Sequence, residues 1–243
     1  MKRLTFPVLV AAVALSAAAC RSHTQIPESD RATLERDLTG RESERFLRLS
    51  YFVTPFFGDA SKLLLSHVPP EELRLLEHPD GTPVNPGPQQ GIVPAGSRVR
   101  ITKVEFPTAW VVTERIPYTP RTQPWVYLEI EGQQRDRPYV LVLRQGIETN
   151  EQFLSELERY LVKADPTAKL AAWPAEVQEA VRTKRAVNGM PQEALEMAWG
   201  YPEVVRRERE DGTVRETWTY PGRTRVAYLV DGALERTEVA KGP

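Results

Sequence analysis

Apolar positions recur with two rhythms along this chain, and the switch between them marks its organisation. Leu34 and Leu38 stand one helical turn apart, behind a Ser29 or Asp30 cap and ahead of Gly40, which predicts a short helix. Over 43–57 the side chains of Phe46, Leu47, Leu49, Tyr51, Phe52, Val53, Phe56 and Phe57 crowd behind Ser43, a broad pattern that predicts a second, mostly buried helix. Further short helices are expected at 62–65 and 70–76, the latter opening on Pro70 with Glu71 and Glu72 at the positive end of its dipole. Residues 29–78 therefore read as a helical segment. Five prolines and four glycines fill 79–96, which is expected to be a linker or long surface loop.

Beyond it the period shortens to two. Residues 98–104, 125–131 and 139–144 alternate and 109–113 is a β-branched run, so 97–145 is expected to form a small antiparallel β-module of four strands. Helices return over 149–185. Thr149 or Asn150 caps 151–163, whose Phe153, Leu154, Leu157, Tyr160 and Leu161 share a face, and Pro174 opens another with Val177, Ala180 and Val181 inward. In 186–240, Asn188-Gly189 turns the chain, Pro191 opens a helix, and Gly200 with Pro202 closes it. Strand-like runs at 204–209, 214–220, 225–230 and 234–239 are separated by Asp211-Gly212, Pro221-Gly222 and Asp231-Gly232, dipeptides that suit tight hairpins. The expected fold class is α+β: a helical N-terminal part, a small antiparallel β-module, and a C-terminal helix plus antiparallel meander.

The first residues follow neither rhythm. Lys2 and Arg3, an apolar run over 8–15 and small residues over 16–19 have the layout of an export signal, and the run is shorter than the ~20 residues of a membrane span. The next residue is Cys20, the single cysteine. Ala17, Ala18, Ala19 and Cys20 resemble the lipobox of bacterial lipoproteins, with Ala17 where that family prefers Leu. The resemblance implies removal of 1–19 as a lipoprotein signal peptide and acyl chains such as palmitate on Cys20. Because Arg21 stands where an inner-membrane Asp would, it also implies an outer-membrane address with the body facing the periplasm. Two or three acyl chains would hold such a body in place where one would not. An ordinary A-x-A secretion signal over 17–19 is the alternative. Residues 20–28, polar and containing Pro27, read as a mobile tether.

Composition narrows the function classes. With 27% charged and 41% hydrophobic residues the chain can build a core. Its net charge is −1, and losing Lys2 and Arg3 takes it to −3, so no basic field exists to hold nucleic acid. With Cys20 acylated, no thiol remains for a disulfide or a nucleophile.

Two further likenesses follow from short motifs. The Pro-Ala-Gly turn and V-x-I strand of 93–101 resemble the first strand of bacterial SH3-like barrels. Asn188-Gly189-Met190, a helix, Gly200-x-Pro202, Trp218-x-Tyr220 and a strand closed by Asp231-Gly232 are similar to the BamE-like (SmpA/OmlA) domain of envelope lipoproteins, over about the last quarter of the chain. That likeness implies a non-catalytic α/β unit that contacts other envelope proteins. Gly189, Met190, Gly200, Pro202, Trp218, Tyr220, Asp231 and Gly232 are nonetheless explained by turn geometry and packing.

Catalytic motifs do not emerge. The three histidines lack metal-ligand spacing, no serine sits in a nucleophile motif, and no glycine-rich phosphate loop occurs, so neither metal nor cofactor is expected. The Pro-rich stretch around Tyr118, Arg121 and Trp125 carries residue types enriched at binding hot spots and is the candidate binding surface, with core or loop-stapling roles as the alternative for the same residues. The leading expectation is a non-enzymatic outer-membrane lipoprotein that contacts envelope proteins. A peptidoglycan-binding lipoprotein and a hydrolase with an unrecognised site are the alternatives.

Overall fold

A computed structural model describes residues 23–40 and 43–240. The signal, Cys20 and the start of the tether lie outside them. The fold is α+β, with six helices and two sheets among the described residues. The larger sheet has eight strands in the order β4-β2-β3-β7-β6-β5-β1-β8. These are β1 (Glu44–Leu47), β2 (Tyr51–Phe56), β3 (Asp59–Ser66), β4 (Gly91–Val93), β5 (Arg98–Glu105), β6 (Trp125–Ile130), β7 (Tyr139–Val142) and β8 (Leu161–Val162). All its neighbouring pairs are antiparallel except β3–β7.

The helix expected over 43–57 is instead β1 and β2, and that expected at 62–65 lies inside β3. Tyr51, Val53, Thr54 and Phe56 are all buried, so apolar groups occupy both faces of β2. A strand covered on both sides reads as a continuous apolar run, which periodicity does not separate from a buried helix. Residues 70–76 form turns rather than a helix. Within the expected linker, Gly91–Val93 pairs with β2 as an edge strand. Conversely, the β-branched run at 109–113 is a helix, α2 (Ala109–Glu114), because Thr108 caps it by accepting from Val111 N–H. The β-module therefore has three strands of its own and is the centre of a sheet that β1 to β4 and β8 complete.

One face of this sheet is covered by α1 (Glu28–Thr39) and α3 (Asn150–Glu158), which bring Leu34, Leu38, Phe153 and Leu157 onto Leu47, Val99, Ile101 and Leu128. α3 ends earlier than expected, since Leu161 and Val162 pair with β1. On the opposite face Phe56, Leu64, Trp125, Tyr127 and Val140 pack beneath Val68 and Leu73. Burying each such side chain contributes roughly 1.5–3 kcal/mol before conformational entropy is subtracted.

The second sheet is the expected meander, β9 (Val204–Glu210), β10 (Thr213–Thr219), β11 (Arg225–Val230) and β12 (Ala233–Val239), in the order β12-β11-β10-β9. Trp218, Tyr220, Ala227 and Leu229 form its inner face, under α5 (Ala175–Arg182) and α6 (Gln192–Trp199); the short α4 (Thr167–Ala171) precedes them. At the Asp211-Gly212 and Asp231-Gly232 turns both residues take positive φ, the geometry that follows the right-handed strand twist. Buried polar contacts join the turn between β1 and β2 to the helices that cover the second sheet. Ser50 Oγ donates to Val181 O at 2.6 Å and accepts from Ala95 N–H at 2.9 Å. Lys184 Nζ donates to Ser50 O and Ala198 O, at 2.7 and 2.6 Å.

The expected tether is bound well before Glu28. His23 N–H donates to Pro107 O at 2.9 Å, and Thr24 and Ile26 are buried. Among the described residues no helix is long and apolar enough to cross a membrane.

Candidate interaction sites

The segment joining β5 to β6 carries the three residues expected to form a binding surface, and the fold treats them differently. α2 stops at Arg115, whose backbone is extended, and Pro117 keeps the residue before it out of the helical region. Arg115 then turns inward and holds the loop. Its Nε donates to Glu105 Oε1 at 2.8 Å, its Nη1 to the carbonyls of Arg121 and Gln123 at 2.6 and 2.7 Å, and its guanidinium lies 3.6 Å from the ring centroid of Trp125. Arg121 Nε donates to Val112 O at 2.8 Å, tying the loop back to α2. Trp125 is buried, and its indole N–H donates to Pro120 O at 2.9 Å.

Arg121 and Trp125 therefore build the loop, while Tyr118 is presented by it. Tyr118 is 78% exposed, and it is joined by Trp110 at 69% and Ile116 at 48%. Trp110 and Ile116 were not singled out from sequence. As a strand, 109–113 would have carried Trp110 into a core, whereas as a helix it turns Val112 inward and Trp110 out.

Beneath the loop lies a cleft of about 280 Å³ lined by Asp59, Lys62, Glu105, Glu114, Arg115 and Tyr127, among others. Most of its charges are already matched, Glu114 being the exception. Lys62 pairs with Asp59 at 2.5 Å, and Glu105 accepts from Lys103 at 2.6 Å, from Arg115, and from the Tyr127 hydroxyl at 3.3 Å. Burial pushes the Glu105 carboxyl up, but the Lys103 hydrogen bond and the Arg115 charge outweigh it and hold the group below the usual carboxylate range. Burial and the neighbouring Glu105 charge push the Tyr127 phenol up. A carboxylate with three donors is suited to being a strut rather than a proton carrier.

The glycines, aromatics and turn residues of the C-terminal motif are likewise occupied with structure. Met190, Trp218 and Tyr220 are buried, and Trp218 Nε1 donates to Glu216 Oε2 at 2.8 Å. Asp231 accepts from Val214 N–H through its side chain at 2.9 Å. Gly200 ends α6 at φ +85°, with Pro202 just beyond it, while Gly189 takes φ +82° at its turn. The Gly232 carbonyl accepts from Gln192 N–H at 2.8 Å, tying the turn to α6.

Glu72, expected at the first turn of a helix, is instead buried and paired with a distant residue. Glu72 pairs with Arg225 at 3.0 Å and also accepts from the Thr224 hydroxyl, and the Arg225 guanidinium stands 4.9 Å from the rings of both Trp199 and Tyr220. His67 sits against Gly200 and Tyr160. Burial, with the charges of Lys184, Arg159 and Arg225, drives its pKa down to about 3. No local signal marks these residues, because each finds its partner far along the chain.

The other exposed element is β9. All seven of its residues are exposed, including Val204 and Val205, which point to opposite faces. Among the described residues it pairs only with β10, so its outer edge is open. Arg207 Nε, donating to Glu216 Oε1 at 2.5 Å, helps fix it in place. Among the described residues no group of three or more His, Cys, Asp or Glu is placed to hold a metal. Comparison with known proteins returns no matching family model, no matching curated protein and no matching solved structure.

Proposed function

We propose that the chain is an outer-membrane lipoprotein, anchored through Cys20 and facing the periplasm, that works without catalysis by contacting envelope proteins during envelope assembly or maintenance. The observation that carries this reading is β9. A strand exposed on both faces and open along one edge offers unpaired backbone groups to an extended segment of a partner, with Val204 and Val205 as apolar contacts and the run Arg206 to Glu210 setting its polarity. The BamE-like likeness of the same region agrees with a contact role, as an analogy of fold.

A peptidoglycan-binding role draws less support. Of Tyr118, Arg121 and Trp125, only Tyr118 offers a free ring, because the Trp125 ring is covered by Arg115. The cleft beneath the loop does not favour the hydrolase alternative, since Asp59 and Glu105 are held there by Lys62 and Arg115.

The test is in-cell photocrosslinking from benzoylphenylalanine placed at Val205. A discrete adduct with an envelope protein, reduced when Cys20→Ser releases the chain, is the expected result. A ladder of nonspecific products, or none, would remove the reading.

A further inference from the structure

We infer that the end of the large sheet where β5 passes into α2 rests against the bilayer that anchors the chain, with Trp110, Ile116 and Tyr118 in its interfacial zone. This rests on the lipoprotein reading of Cys20.

The first argument is reach. His23 is fixed to the body by its hydrogen bond to Pro107 O, and the buried Thr24 and Ile26 hold the residues behind it. Three residue steps separate Cys20 from His23, and each spans at most about 3.6 Å, so Cys20 Cα lies within about 11 Å of His23 Cα. Pro107 is two residues ahead of the first residue of α2. An acylated Cys20 therefore brings this end of the sheet, rather than any other, to the membrane surface.

The second argument is what stands there. Three large apolar side chains are in solvent on one segment, and the Arg115 and Arg121 hydrogen bonds hold that segment in shape. Trp and Tyr combine an apolar ring with a polar tip and favour the bilayer interface for that reason. The opposite end of β6 has the reverse character. There the connection 131–136 is exposed throughout and carries Glu131, Gln133, Gln134, Arg135 and Asp136. Six residues of β6 set the two ends about 20 Å apart, so the body is aromatic toward the anchor and polar away from it. A protein occupant would have to enter the thin gap beneath a body held this close, which favours lipid.

The test uses the exported chain purified in detergent and reconstituted into phosphatidylethanolamine–phosphatidylglycerol vesicles, with and without brominated acyl chains. Trp110 is the exposed member of the five tryptophans. Brominated lipid is expected to reduce its emission, Trp110→Phe to abolish most of that loss, and Gln134→Trp to add emission that bromine leaves unchanged. No quenching in vesicle-bound protein, or quenching that survives Trp110→Phe, overturns the inference. So does a protein adduct from benzoylphenylalanine at Trp110 in the absence of quenching. The mass of the Cys20 peptide reports acylation separately. If acyl chains are absent, the lipoprotein reading fails, and the same quenching with Cys20 coupled to a maleimide phospholipid decides the orientation by itself.

Discussion

Gly200 meets two demands at once. Its φ of +85° favours glycine, and a Cβ there would stand 2.2 Å from His67 Cδ2. The first demand was legible from a Gly-x-Pro sequence at the end of a predicted helix. The second was not, because His67 is brought there only by the docking of the two sheets. That docking also sets the pH behaviour of His67. Its imidazole stays neutral in the fold down to about pH 3 but titrates near 6.5 once released. Between those values the unfolded chain binds the extra proton, so stability is full above 6.5 and falls as pH drops. The expected loss from this residue is about 2 kcal/mol by pH 5. Urea unfolding of wild type and His67→Gln at pH 7 and pH 5 checks it: the variant should lose less stability by about that amount, and parallel losses would refute the assignment. Glu105, held below the usual carboxylate range, adds its own loss only at lower pH.

At the scale of elements, helix and strand were exchanged where burial overrode local pattern. The meander was legible because its Asp-Gly turns and half-buried strands carry their own signals, and the observed β11 coincides with the expected 225–230. The 43–66 region was not, since β2 is covered on both faces and β3 is apolar over Leu63 to Leu65. The 109–113 run failed the other way, with the Thr108 cap prevailing over β-branched side chains. The loop that follows depends on one side chain. Arg115→Met would leave the carbonyls of Arg121 and Gln123 without their donor and remove the buried partner of Glu105. A cost of about 3 kcal/mol is expected, together with new protease cleavage between residues 116 and 124. An unchanged unfolding midpoint and an uncut loop would show that Arg115 does not staple it.

For the molecule as a whole, sequence suggested a series of modules joined by a linker, and the fold joins them differently. β4 draws the Pro/Gly-rich stretch into the large sheet, Ser50 and Lys184 link that sheet to α5 and α6, and Glu72 reaches Arg225 in the meander. Such contacts join distant stretches of chain and leave no periodic trace in sequence. What they produce is a body with distinct ends: aromatic side chains near the bound residues 23–26, and an open β9 edge on the second sheet. On the proposed reading the first meets lipid and the second meets protein, and both assignments begin at Cys20. The most direct measurement is metabolic acyl labelling with membrane fractionation of wild type and Cys20→Ser. The account predicts a labelled, outer-membrane-bound wild type and an unlabelled, released variant; an unlabelled wild type, or a Cys20→Ser chain that remains with the outer membrane, would contradict it.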